Sequence, residues 1–436
     1  MDQRVAVIGA GYAGLAAAVE LADAGVRVAS VEIFEASRTL GGRARAVEIE
    51  GLRVDNGAHI LVGAYRETLR LMRKVSADGT ALKRHPLRLE YPGEFTLAAP
   101  ALALPAPLHL AWALLAARGL SWSEKLAAIR FMRCQKNRRF RLDADMTAAD
   151  LLAEQPEKLR RTLWEPLCLA ALNTPVEQAS AQVFLNILKD SLAADRAASD
   201  LLLPATDLSE LFPEPAARFI EARGGRIHRE TRIGAITRDS DGTYFLDGRS
   251  PYDQVILAVA PHHLPKLIAV LPELTFLARQ VERFEWQPIV TGYLAYPDTV
   301  RLPSPMVGVA DGVAQWLFDF GALRNQHGLI AAVISAHGRH EALDHDALAT
   351  RIHGEIAAIV PNLPPPSWHR IIAEKRATFA CTPNLDRPPA RTALPGLWLA
   401  GDYVAGDYPA TIEGAVRSGV AAARKVIETT RDSSKG

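Results

Sequence analysis

The stretch from Arg4 to Glu35 restricts the fold more than any other. Arg4-Val5-Ala6-Val7-Ile8 reads as a buried strand, Gly9-Ala10-Gly11-Tyr12-Ala13-Gly14 follows at once, and Leu15 to Ala24 reads as a helix. A second apolar run, Val26 to Phe34, ends in Glu35. In this order the segments make a βαβ unit with a dinucleotide fingerprint in its first turn. Gly9 allows the tight turn, Gly11 leaves room for a pyrophosphate, and Gly14 lets helix and strand pack closely. The helix N-terminus offers N–H groups and a partial positive charge to phosphate. Glu35 falls where a carboxylate accepts both ribose hydroxyls and repels a 2′-phosphate. The fingerprint alone leaves NAD and FAD both open.

Gly41-Gly42-Arg43 moves the reading to FAD. The glycines let the backbone pass close to a bulky cofactor, and Arg43 can neutralise a pyrophosphate or hold a flavin edge. Strands are expected at Arg45 to Glu50 and Leu52 to Asp55, followed by Asn56-Gly57-Ala58-His59. Gly57 and Ala58 are small enough for a flavin ring to lie against the chain. His59 either faces that ring or bonds a backbone carbonyl.

A chain of 436 residues suggests two or three domains. A net charge of +1 gives no strong attraction to nucleic acid. Cys134, Cys168 and Cys381 lie far apart, with no zinc or redox spacing, and read as buried thiols in a reducing cytoplasm. No metal site is expected; His337-Gly338-Arg339-His340-Glu341 lacks a metal-binding spacing. No targeting segment is read, because the first strand already begins by Arg4.

The middle of the chain is more apolar. Ala77-Asp78-Gly79-Thr80 ends a helix over Leu69 to Val75, and strands are expected at Leu87 to Tyr91 and Phe95 to Leu97. Ala98 to Leu120 is strongly apolar, but Pro100, Pro105 and Pro107 leave no run long enough to span a bilayer. Arg118 to Arg141 then holds eight basic residues against one acid, Glu124. That pairing fits an anionic membrane surface, or else a buried helix beside a solvated one. Thr147 is expected to cap a helix running toward Glu154. Glu157 to Leu172 reads as a helix kinked at Pro166, whose apolar end, Pro166 to Pro175, is buried or lines an apolar cavity ending at Asn173. Further expectations are a helix over Ala179 to Ala193, strands at 289–296 and 329–335, and a helix over 343–360. Trp286, Tyr293, Trp316, Phe318 and Phe320 are expected in the core, and His262-His263 at a solvated helix start.

Together the fingerprint, Glu35, Gly41-Gly42-Arg43 and Asp55-x-Gly57 resemble the flavin amine oxidase and carotenoid desaturase superfamily. So does the C-terminal segment Gly396-Leu397-Trp398-Leu399-Ala400-Gly401-Asp402 with Tyr408 to Ala415. The resemblance implies that Gly401 and Asp402 meet the ribityl or pyrophosphate region, that Ile233 contacts adenine, and that the helix opened by Thr411 and Ile412 faces the flavin N1–C2=O2 edge. At finer grain, His85 to Pro92 and Pro166 to Pro175 resemble the squalene-associated desaturase-like branch, the hydroxysqualene dehydroxylases of bacterial hopanoid synthesis.

The fold class implied is α/β: a Rossmann-like FAD-binding domain of glutathione-reductase type with an interleaved α+β substrate domain. The first would comprise 1–75, 205–265 and 385–436, the second 76–204 and 266–384 with a helical, membrane-facing part. The branch implies reduction of 12-hydroxysqualene to squalene by reduced, non-covalently bound FAD, with a long apolar isoprenoid as substrate and the electron donor left open. Tyr408, His59 and Asn173, in that order, are the candidates for the polar group at the substrate hydroxyl. A carotenoid or polyprenoid desaturase, a flavin amine oxidase and a non-catalytic relative of the fold are the alternatives. The expected location is cytoplasmic, with peripheral contact to an anionic membrane as the further option.

Overall fold

Five parallel strands put the fingerprint at the centre of the molecule. In the computed structural model their order is Arg226–His228, Val28–Phe34, Gln3–Ile8, Gln254–Leu257 and Leu397–Leu399. The structure describes residues 3–24, 28–76, 79–100, 104–248 and 250–432. Val26 and Arg27 of the expected second strand, Ala77 and Asp78 of the helix break, and 101–103 of the apolar stretch lie outside them.

Val5, Ala6, Val7 and Val255, Ile256, Leu257 are fully buried, as parallel strands covered on both faces require. The helix Tyr12–Asp23 covers one face and packs on the final helix, Ile412–Asp432. Gly9 and Gly14 are demanded by close approach. At Gly9, with φ +106°, an added Cβ would lie 2.6 Å from the Ala258 carbonyl oxygen; at Gly14 it would lie 2.0 Å from that of Gly9.

An antiparallel sheet stands against this unit, in the order Met306–Gly308, Trp316–Asp319, Leu329–Ser335, Trp286–Ala295 and Trp368–Phe379. Its two faces follow the strand period of two. Val290, Leu317, Ala332 and Ile334 join a core with Ile352 and Ile356 of the helix His345–Ala357. Their neighbours Ile289, Trp316, Phe318 and Val333 face a cavity instead.

The remaining residues form a helical part and small hairpins, among them Arg88–Tyr91 with Phe95–Ala98. The expected helix over 157–172 is interrupted before Pro166. Glu157–Leu159 is α-helical, Arg160–Trp164 forms one wide π turn, and Glu165–Leu172 resumes the α-helix. Pro166 has no N–H to give, and the turn ahead of it widens so that Glu165 N–H bonds the Arg160 carbonyl. Cys168 and Cys381 are buried, but Cys134 is exposed, contrary to the expectation for all three. It lies on the outward side of the helix Trp122–Asn137. No helix among the described residues is long and apolar enough to cross a membrane.

Gly14→Ala forces backbone apart where no flexible side chain can yield, so we expect a loss of about 1–3 kcal/mol. Gly354→Ala, in a helix with nothing within 4 Å of the added Cβ, should instead stabilise by up to about 1 kcal/mol. Thermal unfolding midpoints of the two variants, moving in opposite directions, check both.

Candidate active site

A cavity of about 720 Å³ lies between the parallel sheet and the antiparallel one. Of the thirteen residues expected to hold a cofactor, all but Gly14 line it: Gly9, Gly11, Glu35, Gly42, Arg43, Gly57, Ala58, Ile233, Gly401, Asp402, Thr411 and Ile412. Gly14 packs beneath, against Gly9.

The helix Tyr12–Asp23 starts at Gly11 with no side chain capping it. Gly11, Tyr12 and Ala13 all border the cavity, so its positive end opens there. Gly42 faces Gly11: a Cβ added at Gly42 would sit 3.3 Å from the Gly11 Cα and narrow the passage. Glu35 is fixed by two backbone donors, Ala10 N–H at 2.8 Å to Oε2 and Ser37 N–H at 2.9 Å to Oε1. Each carboxylate oxygen keeps a lone pair for a hydroxyl. Uncapped helix start, narrow glycine passage and anchored carboxylate fit a diphosphate joined to a ribose.

The motifs from the two ends of the chain meet directly. Arg43 Nη2 bonds Asp402 Oδ1 at 2.6 Å, and its Nη1 bonds the Ala377 carbonyl at 2.8 Å. Behind Asp402, Gly401 N–H bonds Ser418 Oγ at 2.8 Å and Ala410 N–H bonds the Asp402 carbonyl at 3.1 Å. Thr411 Oγ1 accepts from Gly414 N–H at 2.9 Å and so caps the final helix.

The three candidates for the polar group are placed differently. Tyr408 is buried outside the lining, its ring 4.4 Å from the Arg417 guanidinium carbon. Asn173 lines the cavity, but its amide is engaged: Oδ1 accepts from Ala336 N–H at 2.8 Å and Nδ2 donates to Thr378 Oγ1 at 2.9 Å. Those bonds hold the left-handed end of the helix Glu165–Leu172 on the antiparallel sheet. His59 also lines the cavity, with Nδ1 2.6 Å from the Gly57 carbonyl. Burial lowers its pKa against the opposing pull of that carbonyl.

Other polar groups at the cavity carry no sequence motif. Tyr65, Glu374 and Arg376 line it, and Asn56 Nδ2 lies 3.3 Å from Glu374 Oε2. The one available signal is the Glu-x-Arg alternation on a strand, which puts both side chains on one face. His262 corrects an expectation. It stands at a helix start as expected but lines the cavity half-buried, with its ring edge-on to Trp286 at 5.1 Å; His263, although exposed, borders the same cavity. Tyr293, Trp316, Phe318 and Phe320 are in the core as expected, Trp316 and Phe318 at its edge where it lines the cavity, whereas Trp286 is only half-buried. Among the described residues no group of three or more His, Cys, Asp or Glu is placed to hold a metal.

A parallel sheet presenting a diphosphate cradle beside a second, partly aromatic wall defines a dinucleotide-binding protein. The chain belongs to the flavin-containing amine oxidoreductase family, whose model matches residues 12–427. It is 32% identical to the hydroxysqualene dehydroxylase of Rhodopseudomonas palustris over 99% of this chain and 100% of that one. It is 29% identical to the enzyme of the same name from Zymomonas mobilis, over 96% and 97%. The fold is similar to a crystal structure of a putative protoporphyrinogen oxidase from an Exiguobacterium species, with TM-score 0.70 at 16% identity over 98% of this chain and 99% of that one. A flavin is therefore the cofactor the cradle serves.

His262 generates a pH prediction. Burial first, then the charges of His263, Arg376 and Arg43, lower its pKa to about 4. The unfolded chain, with histidine near 6.5, then binds the extra proton first, so stability falls as pH drops from about 6.5 toward 4. His262→Gln should lose less thermal stability than the parent between pH 7 and 5; equal losses would remove His262 as the source.

Proposed function

We propose that the chain reduces 12-hydroxysqualene to squalene, using non-covalently bound FAD. The observation that carries this reading is the composition of the cavity. The nucleotide cradle leads into a wall of Ala170, Ala171, Leu172, Ile289, Trp316, Phe318 and Val333, which suits a long hydrocarbon rather than a small amine. Full-length similarity to enzymes named for this substrate supports it. Glu35, placed for ribose hydroxyls, and Ile233 at the same cavity support a complete adenine dinucleotide. None of the three cysteines lines the cavity, which supports non-covalent attachment.

The substrate hydroxyl is allylic. Its protonation and departure as water leave a cation delocalised over the adjacent double bond. Reduced FAD, when bound, supplies the hydride. Trp316 and Phe318 stabilise positive charge through their π electrons. The apolar wall keeps out water that would recapture the cation. Of the three predicted groups, His59 is the one we assign to the proton. With Nδ1–H taken by the Gly57 carbonyl, Nε2–H is the proton the imidazolium has left to give, and the residue lines the cavity. Its lowered pKa makes that imidazolium a stronger acid than an ordinary histidine.

The test is an anaerobic single turnover: chemically reduced, FAD-loaded protein is mixed with 12-hydroxysqualene, and flavin reoxidation and squalene are followed together. One squalene per reoxidised flavin is the expected result. A flavin that stays reduced, with the oxidised protein bleached by a polyene or an amine, would replace this reading with a desaturase or an oxidase.

His59→Gln should lower the rate of that turnover by roughly 10²–10⁴-fold with FAD still bound. The parent rate should rise as pH falls through a pKa below 6.5, and the variant should lose that limb. An unchanged pH profile in the variant would move the proton elsewhere.

A further inference from the structure

The surface of the helical part carries a patch that the reaction does not use. Five of the nine exposed large apolar side chains among the described residues fall within 19 positions: Leu108, Trp112, Leu115, Trp122 and Leu126. The others are Met146, Val270, Phe276 and Leu343, no more than two of them near one another in sequence. Leu108, Trp112 and Leu115 follow the i, i+4, i+7 spacing and share one face of the helix Leu108–Ala116. Trp122 and Leu126 begin a stripe on the helix Trp122–Asn137, and Arg130 and Arg133 continue it.

Lys125 joins the two helices. Its ammonium bonds the Leu115 carbonyl at 2.7 Å and lies 5.0 Å from the centre of the Trp122 ring. It is buried, so it is a strut and not a free surface charge. The other basic residues of the segment are exposed: Arg118, Arg130, Arg133, Lys136, Arg138, Arg139 and Arg141. None of these seven has a carboxylate within ion-pairing distance among the described residues. Leucine and tryptophan side chains next to unpaired cations match the boundary between acyl chains and anionic headgroups. A protein partner would be expected to neutralise seven cations with acids of its own; an anionic bilayer does so without a built counter-surface.

We propose that the Leu108–Ala116 and Trp122–Asn137 helices dock the protein on an anionic lipid bilayer, the tryptophans and leucines entering the interface and the arginines resting on its headgroups. The docked helices also lie close to the cavity wall. Phe131, on the inward side of the second helix, packs 5.2 Å from Trp164, which immediately precedes the helix whose end, Ala170 to Asn173, lines the cavity. The inference goes beyond the reaction proposed above, and its test needs no turnover.

The full-length, flavin-loaded protein is mixed with phosphatidylcholine vesicles with or without 30 mol% phosphatidylglycerol (~30%, a composition giving a strong surface charge) and recovered by flotation. Binding should require the anionic lipid and fall at least about tenfold when salt is raised from 0.05 to about 0.5 M. Trp112→Ser with Trp122→Ser should weaken binding about tenfold or more, and so should Arg130→Glu with Arg133→Glu, since each basic residue near the surface is worth about fivefold. All four side chains are exposed, so folding is expected to survive, and unchanged flavin absorbance verifies it. Bromine-labelled lipid should quench tryptophan emission in the parent more than in the Trp variant. Equal recovery on neutral and anionic vesicles, binding unaffected by both variants, or a dimer that the Trp variant dissolves would each overturn the proposal.

Discussion

The guanidinium of Arg43 and the carboxylate of Asp402, 2.6 Å apart in space and 359 residues apart in sequence, close the ring of segments around the cavity. Arg43 lies in the loop after the fingerprint, Asp402 follows the last strand of the parallel sheet, and the Ala377 carbonyl that Arg43 also binds belongs to the antiparallel sheet. One side chain thus joins three regions that local propensity alone cannot bring together. Asp402 is buried and Arg43 largely so, which places the pair between a surface ion pair and a fully buried one. Removal of either partner should cost about 2–3 kcal/mol, because the other charge would be left without its counter-ion.

Two further carboxylates do comparable work. Asp55 accepts from Leu208 N–H at 2.8 Å and is paired with the buried Arg324, while its own carbonyl takes the Tyr293 hydroxyl at 2.9 Å. These bonds fix the strand before Asn56-Gly57-Ala58-His59 against the antiparallel sheet, and so set where the His59 loop stands. Glu413 is wholly buried and accepts from Glu67 N–H, Thr68 N–H, the Thr68 hydroxyl and Arg417. It thereby caps the helix Arg66–Val75, whose own preceding residue, Tyr65, supplies no cap. The same contact pins the start of the final helix beside the cavity.

The nucleotide half was legible in the sequence because its demands are local. A tight turn, a close approach and an acidic residue at fixed spacing each select particular residue types, so Gly9, Gly11 and Glu35 announce themselves. Asp402 could be tied to them only through resemblance, since nothing near it in sequence names Arg43 as its partner. The rest of the cavity was less legible because it is assembled by tertiary packing. Glu374 and Arg376 look like any solvated strand, and His262 stands at a helix start as its sequence suggests, but Trp286 covers its ring. Tyr408 sits beside a motif and drew attention for that reason, yet the left-handed turn at Ala410, φ +56°, separates it from Thr411 at the cavity. Asn173 was visible as the polar end of an apolar wall, but its role as a bonded corner depends on Ala336 and Thr378, more than 160 and 200 residues away.

The charges around the cavity have a common direction. The helix Tyr12–Asp23 and the helix Ile412–Asp432 both begin at its wall, so two positive helix ends converge on one space. The carboxylates at its wall have partners of their own: Glu35 two backbone N–H groups, Asp402 the Arg43 guanidinium, and Glu374 the Asn56 amide and the Arg376 N–H. What remains is a field that favours negative charge on a bound ligand, each helix end contributing about 0.3–1 kcal/mol and more where water is excluded. The diphosphate carries such charge permanently, and a flavin gains it at its N1–C2=O2 edge on reduction. With a flavin held as we propose, the final helix would favour the reduced state, the state from which hydride is given. On the opposite side, Trp316, Phe318 and the Ala170–Leu172 wall offer π electrons and dry surface, the surroundings a carbocation needs. On the reading proposed here, one wall would serve the donor of the hydride and the other its acceptor, the arrangement that reduction of an allylic alcohol requires.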